Sequence, residues 1–339
     1  MGLWWGFVHV AAPLLLTYLV VPALIYLAPG AMQHVFFLNF VKLPFTDYKN
    51  LTAHNITSKG RNFYLEANDV TLGLWHVLPR TVSDRLAGTT PTDEELEMTL
   101  HSENFPVIVY LHGNSFDRTG DHRCRLYNVL SALDFHVIAV DYRGYGDSTG
   151  IPTENGIIQD ANEAYQYALR MSGENSVYIW GHSMGTGVAT KAAMDVSEQG
   201  KPPVGLILES PFNNLRDVVF NHPFTLPFRW MPWFDRIFVH PMQSSGLDMR
   251  TDERIVKVNC PILILHAEDD HIIPHHLASK LRHSAEEGGR DVTFVDFAKE
   301  RRFRHKYIFQ AQELADIISS FGKKCTAARL TELNRQQED

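Results

Sequence analysis

The sequence predicts an α/β protein with a mostly parallel sheet, helices on both faces, an aromatic-rich lid insertion and one membrane-spanning helix ahead of them. Three observations predict it. Short apolar, β-rich runs alternate with helix-length segments from about residue 107 onward. One of those runs ends in Gly181-His182-Ser183-Met184-Gly185, and the first 41 residues contain no Asp, Glu, Lys or Arg. The 339 residues, 45% apolar and 21% charged, suffice for one large core. A net charge of -8, with no basic run interleaved with aromatics, argues against a nucleic-acid partner. Cys124, Cys260 and Cys325 are too few for a disulfide framework and lack zinc-ligand spacing.

Residues 3–27 are uncharged and mostly apolar, long enough for a hydrocarbon core of ~30 Å. Trp4 and Trp5 mark one end and Tyr26 the other, while Pro13 and Pro22 are tolerable in lipid. A cleaved signal peptide carries a basic start and a shorter apolar core, so 1–29 reads as a retained anchor and 30–49 as a juxtamembrane connector. Lys42 and Lys49 weakly favour a cytoplasmic domain; the sequons Asn50-Leu51-Thr52 and Asn55-Ile56-Thr57 favour a lumenal one, glycosylated at Asn50 and Asn55.

The domain spans 50–325. Strands at 62–66 and 70–77 flank a turn at Ala67-Asn68-Asp69, and the polar stretch 79–104 reads as a surface excursion. Strands then fall at 107–112, 137–141, 177–180, 204–208, 262–266 and 292–297, with helices near 122–133, 155–171, 184–199, 275–286 and 306–321. A polar tail occupies 326–339. The rhythm breaks at 211–260, where Phe212, Phe228, Trp230, Trp233 and Phe238 are interrupted by Pro223, Pro227, Pro232 and Pro241. This insertion is either a lid over an acyl-chain pocket, touching the bilayer, or a cap folded around its own aromatic core.

Glycines on either side of Ser183 allow the sharp strand-to-helix turn of a nucleophile elbow, which exposes Oγ and leaves the Met184 N–H at a helix N-terminus for an oxyanion. A serine nucleophile needs a base, and the base a carboxylate. Asp270, in Asp-x-x-Ile-Pro after the next-to-last strand, is the candidate acid, with Asp269 the alternative. His305 is the only histidine after the last strand and the candidate base; His271, beside the acid, is badly placed to reach Ser183. The turn after Tyr110-Leu111-His112-Gly113 offers the Asn114 N–H as second oxyanion donor. This chemistry requires no metal or organic cofactor.

Together His112-Gly113-Asn114, Asp141-Tyr142-Arg143-Gly144-Tyr145-Gly146, Gly181-His182-Ser183-Met184-Gly185-Thr186-Gly187, His266-Ala267-Glu268-Asp269-Asp270 and Arg304-His305-Lys306-Tyr307 resemble a known group. They are similar to the membrane-anchored α/β-hydrolases called lysophosphatidylserine lipases, or monoacylglycerol lipases of the α/β-hydrolase-domain-twelve type. The likeness runs from about residue 37 to 322. It implies an α/β-hydrolase fold and a single-pass endoplasmic-reticulum protein with a lumenal domain. It implies cleavage of the acyl ester of lysophosphatidylserine and of monoacylglycerols, lipids met in the bilayer, with nucleophile, acid and base on Ser183, Asp270 and His305. Two departures stand out: Phe116 where the group carries a glycine, and Arg302-Phe303 in place of Gly-Tyr. Phe116, Arg118 and Phe212 are candidate substrate contacts, and Arg118, Arg123 and Arg304 candidate partners for an anionic head group. A thioesterase removing acyl groups from protein cysteines would use the same three residues from a cytoplasmic domain. A non-catalytic binding protein would have no need of all three.

Overall fold

The computed structural model describes residues 5, 7–28, 30–42, 44–67, 69–102 and 104–338. Trp4 and Asn68 lie outside these residues. Among the described residues one helix, Val8–Leu27, is long and apolar enough to cross a membrane, and little of it is buried against the rest of the protein. Its regular part is α1 (Ala12–Leu27), with Pro13 in the first turn, where a missing N–H costs little, and Pro22 in the interior. α2 (Gly30–Phe37) follows.

The stretch 30–49, expected as a connector, is built into the domain instead. Phe37 is buried, the Trp75 indole donates to the Tyr48 carbonyl at 2.8 Å, and the Tyr48 hydroxyl donates to Asp117 at 2.8 Å. Trp75 thus takes its hydrogen-bond acceptor from 30–49, and Tyr48 of that stretch takes its own from the domain.

Eight strands, β1 (Gly60–Ala67), β2 (Val70–Val77), β3 (Val107–Leu111), β4 (His136–Val140), β5 (Val177–His182), β6 (Gly205–Glu209), β7 (Ile262–Ala267) and β8 (Val292–Phe297), form one sheet ordered β1-β2-β4-β3-β5-β6-β7-β8. β2 runs antiparallel to β1 and β4; the remaining pairs are parallel. Side chains alternate between two cores: Val107, Val109 and Leu111 face one, Ile108 and Tyr110 the other. From β3 the chain moves outward to β4 and then returns to β5 on the opposite side. The crevice between the ends of β3 and β5 is therefore the switch point of the sheet, where open α/β sheets bind ligands.

The expected surface excursion at 79–104 is a folded satellite. It contains α3 (Arg80–Arg85) and α4 (Asp93–Ser102), and Leu78, Val82 and Leu96 pack into a small core of their own. Thr92 and Glu95 make a reciprocal capping box: the Glu95 N–H donates to Thr92 Oγ1 at 3.2 Å, and the Thr92 N–H to Glu95 Oε2 at 2.8 Å. α5 (Asp121–Ala132) covers one face of the sheet through Cys124, Tyr127 and Leu130, while α6 (Glu154–Ser172) and α7 (Met184–Glu198) cover the other.

Between β6 and β7 the insertion is chopped by its prolines into short pieces. These are α8 (Leu215–Asn221), a 3₁₀ turn Leu226–Phe228, a π-turn Asp235–Val239, α9 (His240–Ser244) and α10 (Thr251–Ile255). Its aromatics divide. Phe228 and Phe234 pack on Phe238 at ring distances of 5.3 and 5.0 Å, whereas Trp230 is 72% and Trp233 52% exposed. Tyr18 of α1 stacks on both Phe228 and Trp230, at 5.4 and 5.2 Å, so the cap stands against the apolar N-terminal helix.

α11 (His275–Glu287) returns to the α6 and α7 face. α12 (Leu314–Glu338) closes the α5 face and starts later than expected, because the chain after β8 turns through Arg302 and Arg304 at left-handed φ of 57° and 50° and then a 3₁₀ turn at Ile308–Gln310. The expected polar tail continues this helix to Glu338.

Candidate active site

Ser183 sits between β5 and α7 with φ 54° and ψ −122°, a conformation that strains any residue with a side chain. Each of the two flanking glycines is required by a close backbone approach. A Cβ on Gly181 would lie 2.7 Å from the Gly185 carbonyl carbon and 2.8 Å from the Ala189 Cβ; one on Gly185 would run into the Leu111 carbonyl oxygen and lie 2.7 Å from that of His112. Strand β5, helix α7 and the end of β3 approach too closely for any other residue, and this packing holds the serine out at the sheet edge.

His305, in the turn after β8, places Nε2 2.9 Å from Ser183 Oγ and Nδ1 2.7 Å from Asp270 Oδ2. The other Asp270 oxygen accepts the Ile272 and Ile273 N–H groups, both at 2.9 Å. Burial alone would raise the Asp270 pKa, but the charge and hydrogen bond of His305, aided by His266, outweigh it and hold the carboxyl down at about 2. Asp269 turns the other way: its Oδ1 accepts the Arg304 N–H at 2.8 Å and pins the loop that carries His305. His182, between the elbow glycine and serine, secures the same loop through a 2.9 Å bond from Nε2 to the His305 carbonyl. Burial, and next the neighbouring His305, keeps the His182 imidazole neutral by holding it well below its usual range. Neither positioning role is readable from sequence, because both depend on where a distant loop lands.

Met184 opens α7, where the first N–H groups have no acceptor within the helix. Asn114 lies across from it, fixed by its side-chain bond to the Phe36 carbonyl of α2 at 2.9 Å and by the Tyr145 hydroxyl on its own carbonyl at 3.2 Å. Gly113 allows the close approach, since a Cβ there would lie 3.2 Å from that of Ser183.

Two cavities meet at Ser183, and Leu38, Asn114, His222 and Ile272 belong to both. One, of about 310 Å³, is apolar and walled by Val35 and Phe36 of α2, Met184, and Phe212, Phe224 and Met242 of the cap. The other, of about 420 Å³, is the more polar of the two and is walled by Arg123, Arg304 and Lys306. Of the candidate substrate contacts, Phe212 therefore lines the apolar cavity; Phe116 and Arg118 wall neither. Arg118 is fully buried and donates to Asp141, to Asp147 at 2.8 Å and to Asn62 at 2.6 Å, over the Tyr48 ring. Two carboxylates claim it, which removes it from solvent and ligand alike. Phe116, at φ 59°, is exposed. It and Arg302, the two departures where the resembling group carries glycine, both occupy left-handed positions, each costing about 1 kcal/mol that a glycine avoids.

Beneath the elbow, Glu209 ends β6 with its carboxyl fully buried, accepting the Trp180 indole N–H at 3.0 Å. Burial pushes its pKa up to about 7. A raised carboxyl stabilises the fold fully below its unfolded value, about 4.3, and loses that contribution as pH rises through 7, on the order of 3 kcal/mol in all. Glu209→Gln keeps the bond to Trp180. It is expected to flatten the decline of denaturant stability between pH 5 and 8 and to be the more stable protein at pH 8. Parallel curves for the two proteins would mean that Glu209 stays ionised.

A strained serine at the switch point of the sheet, with imidazole and carboxylate following β8 and β7, defines an α/β-hydrolase acting on carboxylic esters. The family model described as serine aminopeptidase, S33, matches residues 103–249. Lysophosphatidylserine lipase ABHD12 of Rattus norvegicus is 42% identical over 326 residues, covering 94% of this chain and 81% of its own. Protein ABHD12B of Homo sapiens is 36% identical over 308 residues, covering 86% and 82%. The chain belongs to the ABHD12 family of α/β-hydrolases. Among solved structures, an α/β hydrolase from Vibrio vulnificus superposes with a TM-score of 0.63 at 16% identity, covering 89% of this chain and 93% of that one, a likeness of fold.

Proposed function

We propose that this protein is a membrane-anchored lipase that hydrolyses the acyl ester of lysophospholipids, lysophosphatidylserine foremost, and of monoacylglycerols. The observation that carries this reading is the position of Ser183: hydrogen-bonded to His305, and standing where an apolar cavity meets a polar one. A single-chain lipid has that polarity. Its acyl chain fits the cavity between α2 and the cap, its ester carbonyl lies over Ser183, and its head group points into the polar side. The relatives named for lysophosphatidylserine hydrolysis support the same substrate.

Ser183 Oγ gives its proton to His305 Nε2 as it attacks the ester carbonyl carbon, and the Met184 and Asn114 N–H groups hold the oxyanion. Asp270, ionised, steadies the imidazolium. The C–O bond to the glycerol breaks, with His305 returning the proton to the leaving alcohol, and an acyl-Ser183 ester remains. Water, deprotonated by His305, then attacks it and releases the fatty acid. In the test, wild-type protein and Ser183→Ala are compared for fatty-acid release from lysophosphatidylserine, lysophosphatidylcholine, a monoacylglycerol and an acyl thioester. Wild-type preference for lysophosphatidylserine, lost in the variant, is expected; cleavage of the thioester alone would replace the lipase reading with a thioesterase.

We place the anchor in residues 1–29 and the domain, with its lid at 211–260, in the endoplasmic-reticulum lumen. Supporting this, Asn50 and Asn55 are both exposed, on the 3₁₀ turn Leu51–His54 and its left-handed cap. Endoglycosidase treatment of membranes is expected to raise gel mobility, and Asn50→Gln with Asn55→Gln to remove the shift. A chain insensitive to the enzyme would point to a cytoplasmic domain.

A further inference from the structure

We infer that the polar cavity beside Ser183 is an anion-binding site, built by Arg123, Arg304 and Lys306, that selects lipids whose head group carries both a phosphate and a carboxylate. The inference rests on Ser183 as nucleophile, since the cavity is defined by its contact with that residue.

The three cations come from separate segments, Arg123 from α5 and the other two from the turn that presents His305, and no Asp or Glu walls the cavity with them. Arg123 is the telling residue. Three arginines are buried among the described residues: Arg61, Arg118 and Arg123. Arg61 pairs with Glu97 at 3.1 Å and Arg118 with Asp141 and Asp147. Arg123, at 2% exposure, pairs with no carboxylate among the described residues. Its guanidinium donates to the backbone carbonyls of Asp117 and, at 2.7 Å, Ser115, the neutral Tyr110 hydroxyl lies against it, and its Nε has no partner among the described residues. A buried cation without a counter-ion is costly to fold around, and proteins retain such a group where a ligand supplies the missing charge. Lys306 is half-buried beside it and likewise makes no ion pair among the described residues. Burial, and next Arg123, pulls the Lys306 pKa down, as two cations facing one empty volume require. Arg304, exposed at the mouth with its backbone held by Asp269, completes the set.

A phosphodiester takes bidentate or forked donors such as arginine, and a terminal carboxylate takes the second charge. A phosphoserine head group sets two anions against one ammonium, whereas a phosphocholine head group sets one anion against one ammonium and is neutral overall; a monoacylglycerol brings no charge. Selectivity should therefore follow net negative charge.

The test measures kcat/KM for lysophosphatidylserine, lysophosphatidylcholine and a monoacylglycerol of the same acyl chain, in wild type, Arg304→Gln, Lys306→Gln and the double variant. The expected result is a fall of about tenfold per charge in the ratio of lysophosphatidylserine to monoacylglycerol turnover, carried mainly by KM. A merely structural role would lower both substrates together and leave the ratio unchanged, which overturns the inference, as does a ratio unaffected by either substitution. A second measurement needs no turnover: calorimetric titration of Ser183→Ala with glycerophosphoserine. Binding that is lost in Ser183→Ala carrying both further substitutions supports the site; absence of binding overturns it. Wild-type protein inert toward every ester, while glycerophosphoserine still binds, would instead sink the lipase reading and leave the anion site standing.

Discussion

Ser183→Ala is expected to release fatty acid from lysophosphatidylserine at roughly 10⁻⁴ of the wild-type rate or less, with unfolding stability close to wild type. The reason is chemical. Alanine removes the oxygen that His305 Nε2 reaches at 2.9 Å, and a water in that position starts without the positioning that the elbow provides. Stability changes little because alanine is strained at φ 54° much as serine is, and the one buried group that loses its partner is the acceptor Nε2 of His305. His305→Ala is expected to match it. The double variant should be no worse than either single one, because residues that act as a unit are non-additive. Asp270→Asn is expected to fall by about 10⁴ as well: the amide can occupy the same place but presents a donor to Nδ1 and reverses the tautomer. Kinetics with a single lysophospholipid check all four proteins. Appreciable turnover by Ser183→Ala would mean that the acyl group never passes through that oxygen.

Gly185→Ala is expected to lose about 3 kcal/mol or more of stability and to accumulate poorly in cells. The added Cβ meets the backbone carbonyls of Leu111 and His112, at the end of the central strand β3, and backbone cannot swing aside as a side chain does, the His112 carbonyl also accepting the Tyr142 hydroxyl at 3.2 Å. Gly187→Ala supplies the contrast. There the nearest atoms are the side chains of Met249 and Phe212, at 3.0 and 3.3 Å, so a shift of a few tenths of an ångström absorbs the methyl. Its cost should be near 1 kcal/mol, with the change felt in the apolar cavity that Phe212 lines. Denaturant unfolding of the two variants separates them. Equal stabilities would mean that the contact between strand and helix is looser than the glycine spacing requires.

The elbow was legible in the sequence because a fixed spacing of glycines about a serine encodes a close backbone approach. The strand rhythm was legible because the inner parallel strands, buried on both faces, read as continuous apolar runs. Asp270 and His305 were reachable from their order after the last two strands, and the structure brings both to Ser183. The satellite at 79–104 was passed over although Thr92-Asp93-Glu94-Glu95 announces a capped helix; an acidic first turn reads as solvated loop when its apolar partners, Leu96 and Leu100, lie one turn further on. The late start of α12 rests on left-handed turns at Arg302 and Arg304, residue types that give no warning of a positive φ. The polar cavity was least legible. Arg118 and Arg123 lie five residues apart with equal promise in the sequence, and only the fold assigns two carboxylates to one and none to the other.

The most direct measurement of the acyl-transfer route is mass spectrometry of the protein quenched during turnover of lysophosphatidylserine. The expected result is an increment equal to the acyl chain on the peptide containing Ser183, chased away on further incubation and missing from Ser183→Ala. Fatty acid released at the full rate with Ser183 never modified, or with the acyl group carried on another residue, would contradict it.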